Sequence, residues 1–270
     1  MMQIREFARA IVECDTLEGK VEPPPADLSD TEPGEPLLLS GPGRPANLKI
    51  VPATEVKVPA MVGMRDLNQR PRILHAMANH ELQAIELFAW ALLAFPNAPS
   101  EFRQGLLAIL VEEQRHFCLY QDRVHANSAE VGDFGVTGYF WNRAGGIRSP
   151  IEFSCVMGLT FENANLDFAR EFAAEARAVD DPETAEAIDE IHRDEIGHVA
   201  FGWQWLERWK DPKASMWDAY LANTAKPLGP GRARGRTFDT EGRRAAGLSE
   251  EFIRNLEETE PEAPGGLRRS

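Results

Sequence analysis

Glu113-Gln114-Arg115-His116 is a Glu-x-x-His pair, and Glu195-Ile196-Gly197-His198 repeats it 82 residues later. Each copy follows a single glutamate, Glu81 or Glu162, at a distance of 32 or 33 residues. Glutamate and histidine three apart project from the same face of a helix. Two such pairs and two single glutamates make the six-ligand set of a carboxylate-bridged dimetal site inside a helical bundle. The candidate ligands are therefore Glu81, Glu113, His116, Glu162, Glu195 and His198. Four carboxylates in a core are very costly unless something neutralises them, and two divalent ions carry the matching charge. Oxygen donors mixed with imidazole nitrogen suit iron or manganese, whereas a structural zinc site would favour cysteines. The expected cofactor is two iron ions, with Mn/Fe and Mn/Mn pairs as variants.

Four long helices must carry these residues. The first is predicted from about Asp66 to Phe95, where Pro96 stops it, and the second runs after Ser100, taken as N-cap, to about Ala126. The third opens on Ser149-Pro150-Ile151-Glu152, a cap followed by a first-turn proline, and ends near Ala178. The fourth opens on Asp181-Pro182 and reaches Lys210. Short joints make helices one and two, and three and four, antiparallel hairpins. Glu81 and Glu113 lie 16 residues on either side of Asn97, so they should sit level across the first hairpin. Glu162 and Glu195 lie 17 and 15 residues from Val179 and Asp180, level within about a turn. The apolar stripes agree: Glu81 interrupts the face of Ile85, Phe88 and Leu92, and Glu113 that of Leu106, Ile109, Leu110 and Phe117.

Two Asp-x-x-His pairs, Asp122/His125 and Asp189/His192, share the spacing but have no level partner carboxylate. Glu86 rivals Glu81 but lies five residues nearer the turn, about 7 Å out of register. His75 and His80 are expected at the surface or behind the ligands. Gly158, Gly197 and Gly202 fall at the level of the site. They leave space for a small molecule or let helices pack closely.

The fold predicted is all-α: a ferritin-like four-helix bundle over residues 61–212, with residues 1–60 and 213–270 as arms. Residues 4–19 read as one amphipathic helix. The proline- and glycine-rich stretch 20–60 cannot hold a helix and should run extended over the bundle. The stretch 126–148 is long enough to cross between the hairpins. The C-terminal extension carries a short helix near Met216–Ala222, an arginine-rich loop (PLGPGRARGRTF) and a last helix from Ser249. That loop reads as a solvated docking segment, with a lid or anion-binding edge as the alternative.

A formal charge of −14 over 270 residues argues against a general nucleic-acid binder. Three well-separated cysteines, Cys14, Cys118 and Cys155, suit reduced thiols in a cytoplasm. The longest apolar run, Leu87 to Phe95, is far short of the roughly 20 residues of a membrane span, and the N-terminus does not read as a signal peptide.

At the ligand positions the chain resembles the ferritin-like dimetal-carboxylate superfamily. Asp194-Glu195-Ile196-Gly197-His198 is similar to the Asp-Glu-x-x-His of the ribonucleotide reductase small subunit and of bacterial multicomponent monooxygenases. That resemblance implies that Asp194 orients His116 and, by symmetry, that Glu112 serves His198. It also implies a redox role for Tyr120, four residues after His116. His80-Glu81-Leu82-Gln83-Ala84 and Glu112 to Phe117 resemble the tRNA-hydroxylase branch. Over nearly the whole chain, HELQAIELFAWALLAFP, FENANLDFA, DEIGHVAFGW and RRAAGLSEEFI resemble the ferritin-like bacterial family DUF455, which implies fold and site but no particular reaction.

The function expected is a dioxygen-dependent di-iron oxygenase or oxidase acting on a small organic substrate. No glycine-rich nucleotide-binding turn is present, so electrons come from the substrate or from an external donor. The alternative is ferritin- or rubrerythrin-like iron handling or peroxide scavenging, although no rubredoxin-type CxxC pair is present. A tRNA substrate ranks behind a small molecule because of the acidic charge, and a homodimer is compatible with the chain.

Overall fold

A computed structural model describes residues 1–224 and 228–262. The described chain is all-helical, as the periodicity requires, and divides into two compact units, Met1–Gly145 and Gly146–Ser270.

The first unit is built on the hairpin of α3 (Arg70–Ala94) and α4 (Ser100–Ala126), following the short helices α1 (Ile4–Glu13) and α2 (Leu17–Lys20). The single helix predicted over 4–19 breaks between α1 and α2, where the Thr16 hydroxyl caps α2 by accepting from the Gly19 N–H at 3.2 Å. The α3 helix starts at Arg70, later than Asp66, because Met61–Arg65 forms a 3-10 turn first and Pro71 then fits the first helical turn. In α4, Ser100 is the first helical residue and Pro99 takes the cap position. From Glu81 to Ala94 α3 is buried on every face, so it needs covering on all sides. The extended arm supplies that cover. Leu37 N–H donates to Leu93 O at 3.0 Å, the Trp90 indole donates to Leu39 O at 3.1 Å, and α1 packs along α3.

A buried polar stripe on α3 fixes the arm and the 126–148 loop. Glu86, fully buried, accepts from Arg44 Nε and Nη2 at 2.9 and 2.7 Å, from Lys20 Nζ at 3.2 Å and from the Trp141 indole at 2.8 Å. Arg44 also donates to Asn79, and Gln83 accepts from the Phe140 N–H at 3.0 Å. Burial pulls the Lys20 ammonium below its ordinary range, opposed by Glu86. A short helix, α5 (Trp141–Ala144), ends this unit against α3.

The second unit holds a helix of three parts: α6 (Pro150–Phe153), a π-helical stretch Ser154–Glu162, and α7 (Asn163–Ala178). Its start matches the sequence, with the Ser149 hydroxyl accepting from Glu152 N–H at 3.3 Å. The π stretch has no counterpart in the periodicity. The wider turn is closed by a side chain: the Thr160 hydroxyl donates to Cys155 O at 2.8 Å and lies 2.9 Å from the Tyr220 hydroxyl. This helix packs against α8 (Pro182–Trp209), capped by Asp181 through the Thr184 N–H. Their closest approach is glycine on glycine. A Cβ built on Gly158 would stand 2.9 Å from Gly202 Cα, and one on Gly202 would stand 3.0 Å from Gly158 Cα. Close packing therefore explains this pair, while nothing lies within 4 Å of a Cβ at Gly197.

The C-terminal extension docks onto the same hairpin through α9 (Met216–Asn223), α10 (Thr240–Ala245) and α11 (Glu250–Glu257). Trp203, Tyr220 and Phe252 join one apolar cluster, and Cys155 sits in it as a small apolar residue whose thiol burial pushes well upward. Arg243, fully buried, grips Asp167 at 2.7 and 2.9 Å, and Asp167 also accepts from Gly235 and Asp239 N–H groups. The arginine-rich loop is thus a docking segment where it is described. Arg234 donates to Glu257 O and Thr259 O, and Arg232 lies over Phe161 and Phe168. Pro227 of that loop and the tail beyond Glu262 lie outside the described residues. No helix among the described residues is long and apolar enough to cross a membrane.

Candidate metal centre

Each hairpin builds half of the predicted ligand set. In the first unit, α3 supplies Glu81 and α4 supplies Glu113 and His116. One oxygen from each carboxylate and one imidazole nitrogen lie within 4.8 Å of one another. Glu113 and His116 are fully buried, and Glu81 is 6% exposed. In the second unit, Glu162 ends the π stretch while Glu195 and His198 come from α8, again with ligand atoms within 4.8 Å. Glu195 and His198 are buried and Glu162 is 6% exposed. The level placement read from the distance to each turn therefore holds within both hairpins.

The two pairs share one local geometry. His116 Nδ1 is 3.4 Å from Glu113 Oε2, and His198 Nδ1 is 3.2 Å from Glu195 Oε2. The His198–Glu195 contact is a hydrogen bond, while the His116–Glu113 contact is a close approach of two candidate ligand atoms. Both spacings suit two donors on one cation. Two carboxylates and a neutral imidazole per hairpin sum to the charge that one divalent cation cancels. The donor set thus fits a first-row transition metal in each half.

The other candidates separate clearly. Glu112 and Asp194 are half-buried beside the ligand residues of their helices, and Tyr120 is buried on α4 below His116. Glu86 is consumed by Arg44 and Lys20. His125 is exposed and pairs with Glu130 at 2.8 Å. Asp189 pairs with Arg177, and His192 meets Asp239 at 2.8 Å. Burial alone would raise the Asp239 carboxyl, but hydrogen bonds from His192 and the Gly242 N–H, together with the Arg170 charge, hold it near about 2. His80 is exposed, with its ring 5.2 Å from that of Phe140. His75 departs from expectation. It is 1% exposed, its Nε2 accepts from the Gly132 N–H at 2.9 Å, and burial pulls it down to about 4 against the pull of Asp133.

Sequence reasoning missed Asn165. Its Nδ2 donates to Glu195 Oε1 at 2.8 Å. The signal was available: Asn165 follows Glu162 by three residues, the spacing that puts two side chains on one helix face.

The chain belongs to the family described as "Protein of unknown function (DUF455)", whose model matches residues 3–254. It is also 31% identical over 140 residues to an uncharacterized protein of Haemophilus influenzae, covering 49% of each chain. The chain therefore aligns with about half the length of that curated relative. No solved structure matches.

Proposed function

We propose that the two Glu-x-x-His pairs and their partner glutamates hold the metals of a ferritin-like dimetal-carboxylate protein, and that the protein is a dioxygen-dependent oxidoreductase acting on a small organic substrate. The observation that supports it is the duplicated half-site: in each hairpin a buried glutamate meets a buried Glu-x-x-His within 4.8 Å. Iron is the first choice of metal, with manganese as the variant. A pair of such ions, when bound, supplies the redox capacity to reduce dioxygen.

The chain's own residues have three tasks. Glu113 and Glu195 each present an oxygen beside an imidazole nitrogen of their own helix. Glu81 and Glu162 complete the charge balance from the facing helix of each hairpin. The four carboxylates are themselves buried, and the exclusion of water strengthens their hold on a cation. Free cysteines at positions 14, 118 and 155 suit a reducing compartment, and we place the protein in the cytoplasm on that ground.

Oxygen uptake tests this reading. The full chain loaded with ferrous iron should consume dioxygen faster than the same iron free in buffer, and candidate substrates should gain label from ¹⁸O₂. Peroxide consumption without product labelling would favour the iron-handling alternative. No uptake above that of free iron would reject both.

A further inference from the structure

We propose that Thr160 and Tyr220 are positioning residues for Glu162, and that the C-terminal extension thereby takes part in metal binding. The proposal rests on the dimetal reading above. Its ground is the π stretch Ser154–Glu162, which ends on a candidate ligand. A π turn bonds five residues back where an α turn bonds four, and such turns occur frequently at functional sites. The Thr160 hydroxyl donates to Cys155 O, five residues back, at 2.8 Å. That uses its one proton, so in the 2.9 Å contact it is the Tyr220 hydroxyl that donates to Thr160 Oγ1. Tyr220 is fully buried, and burial pushes its hydroxyl well above the ordinary range, so it keeps the proton this bond needs.

The helix is anchored on both sides of Glu162. Upstream, the Ser149 hydroxyl caps it through the Glu152 N–H, and Gly158 stands against Gly202 of α8. Downstream, Arg243 holds both the Asn163 carbonyl at 3.1 Å and the Asp167 carboxylate at 2.7 and 2.9 Å. Glu162 lies between these anchors, so the local turn decides which way it faces. A slip of one residue turns a helix by about 100° and would bring Phe161 or Asn163 to the place of Glu162. Tyr220 is itself fixed: its ring lies edge-on to that of Phe252 on α11 at 5.3 Å, and its carbonyl accepts from the Thr224 hydroxyl at 2.7 Å. The two hydroxyls thus tie the docking of the extension to the orientation of one carboxylate.

Cobalt(II) titration of the metal-free full chain tests this, read by calorimetry and by the visible absorption of the ion, which reports coordination number. The wild type should bind two ions. Thr160→Val keeps the side-chain shape without the hydroxyl. At least one binding step should then weaken about tenfold to a hundredfold, the usual cost of losing a group that orients a ligand, with a shift in absorption. Tyr220→Phe should act in the same direction. Because Tyr220 acts through Thr160, the double variant should bind no more weakly than Thr160→Val alone. Thr160→Ser keeps the hydroxyl and should bind as the wild type does. Thermal unfolding of the metal-free variants reports loss of fold separately. Should Thr160→Val fail to fold, Tyr220→Phe, which removes a single oxygen, decides. Fewer than two ions in the wild type would reject the dimetal reading itself. Three results would overturn the role of the two hydroxyls alone: unchanged affinity and absorption in the folded variants, additive losses in the double variant, or an equal loss in Thr160→Ser and Thr160→Val.

Discussion

Buried ionisable side chains in this protein fall into two groups, those paired with an opposite charge from an arm and those gathered in the two half-sites. Glu86 is of the first kind, held between Lys20 and Arg44. Glu86→Gln would leave two cations facing a neutral amide in a closed interior, and the expected loss is about 3–5 kcal/mol in urea unfolding. His75 makes a separate, pH-dependent contribution. Its folded value near 4 lies below the ordinary 6.5, so the folded state binds fewer protons than the unfolded chain between those values. The stability it supplies is complete above about pH 6.5 and is lost as pH falls towards 4. His75→Gln keeps an acceptor for Gly132 without titrating. The fall in stability across that window should then be smaller by up to about 3 kcal/mol. An unchanged slope would mean that His75 is not held neutral. Asp239 acts lower: its stabilisation is present above the ordinary carboxylate range and disappears only as pH approaches about 2.

At the scale of elements, both hairpins and their registers were legible in the sequence. Proline stops, Ser149 and Asp181 caps and short joints are local signals that packing does not override. The π stretch was not legible, because the Thr160 hydroxyl bonds back to Cys155 O and meets the Tyr220 hydroxyl of a distant helix, and periodicity cannot see either contact. The role of the helical glycines was half legible, since glycine in a helix announces either space or contact and only packing decides. Gly158→Ala forces backbone against backbone and should cost about 1–3 kcal/mol. Gly197→Ala meets nothing within 4 Å and removes a poor helix former, so it should stabilise by about 0.5–1 kcal/mol. Chemical denaturation of the two variants side by side should give opposite signs. The arginine-rich segment was expected to be solvated, and the structure instead buries Arg232, Arg234 and Arg243. That Arg243 would be the fully buried one was not readable. Arg243→Met strips the Asp167 carboxylate of its guanidinium, and limited proteolysis should then release α10 and α11 well before the hairpin is cut.

For the whole molecule, each unit carries an arm that packs on its own hairpin. The N-terminal arm wraps α3 and the C-terminal extension wraps the π-containing helix and α8, each within its own unit. The acid gathered in the two half-sites is where a bound cation should matter most. Stripping metal with a chelator should lower the melting temperature, and restoring ferrous iron at about 100 times its dissociation constant should return about 2.7 kcal/mol. Metal analysis of protein purified without oxygen, alongside Glu113→Ala and His198→Ala, tests the central claim most directly. The account predicts two transition-metal ions per wild-type chain and a clear loss in each variant that still folds. A wild-type chain without metal, or variants that keep the full complement, would contradict it.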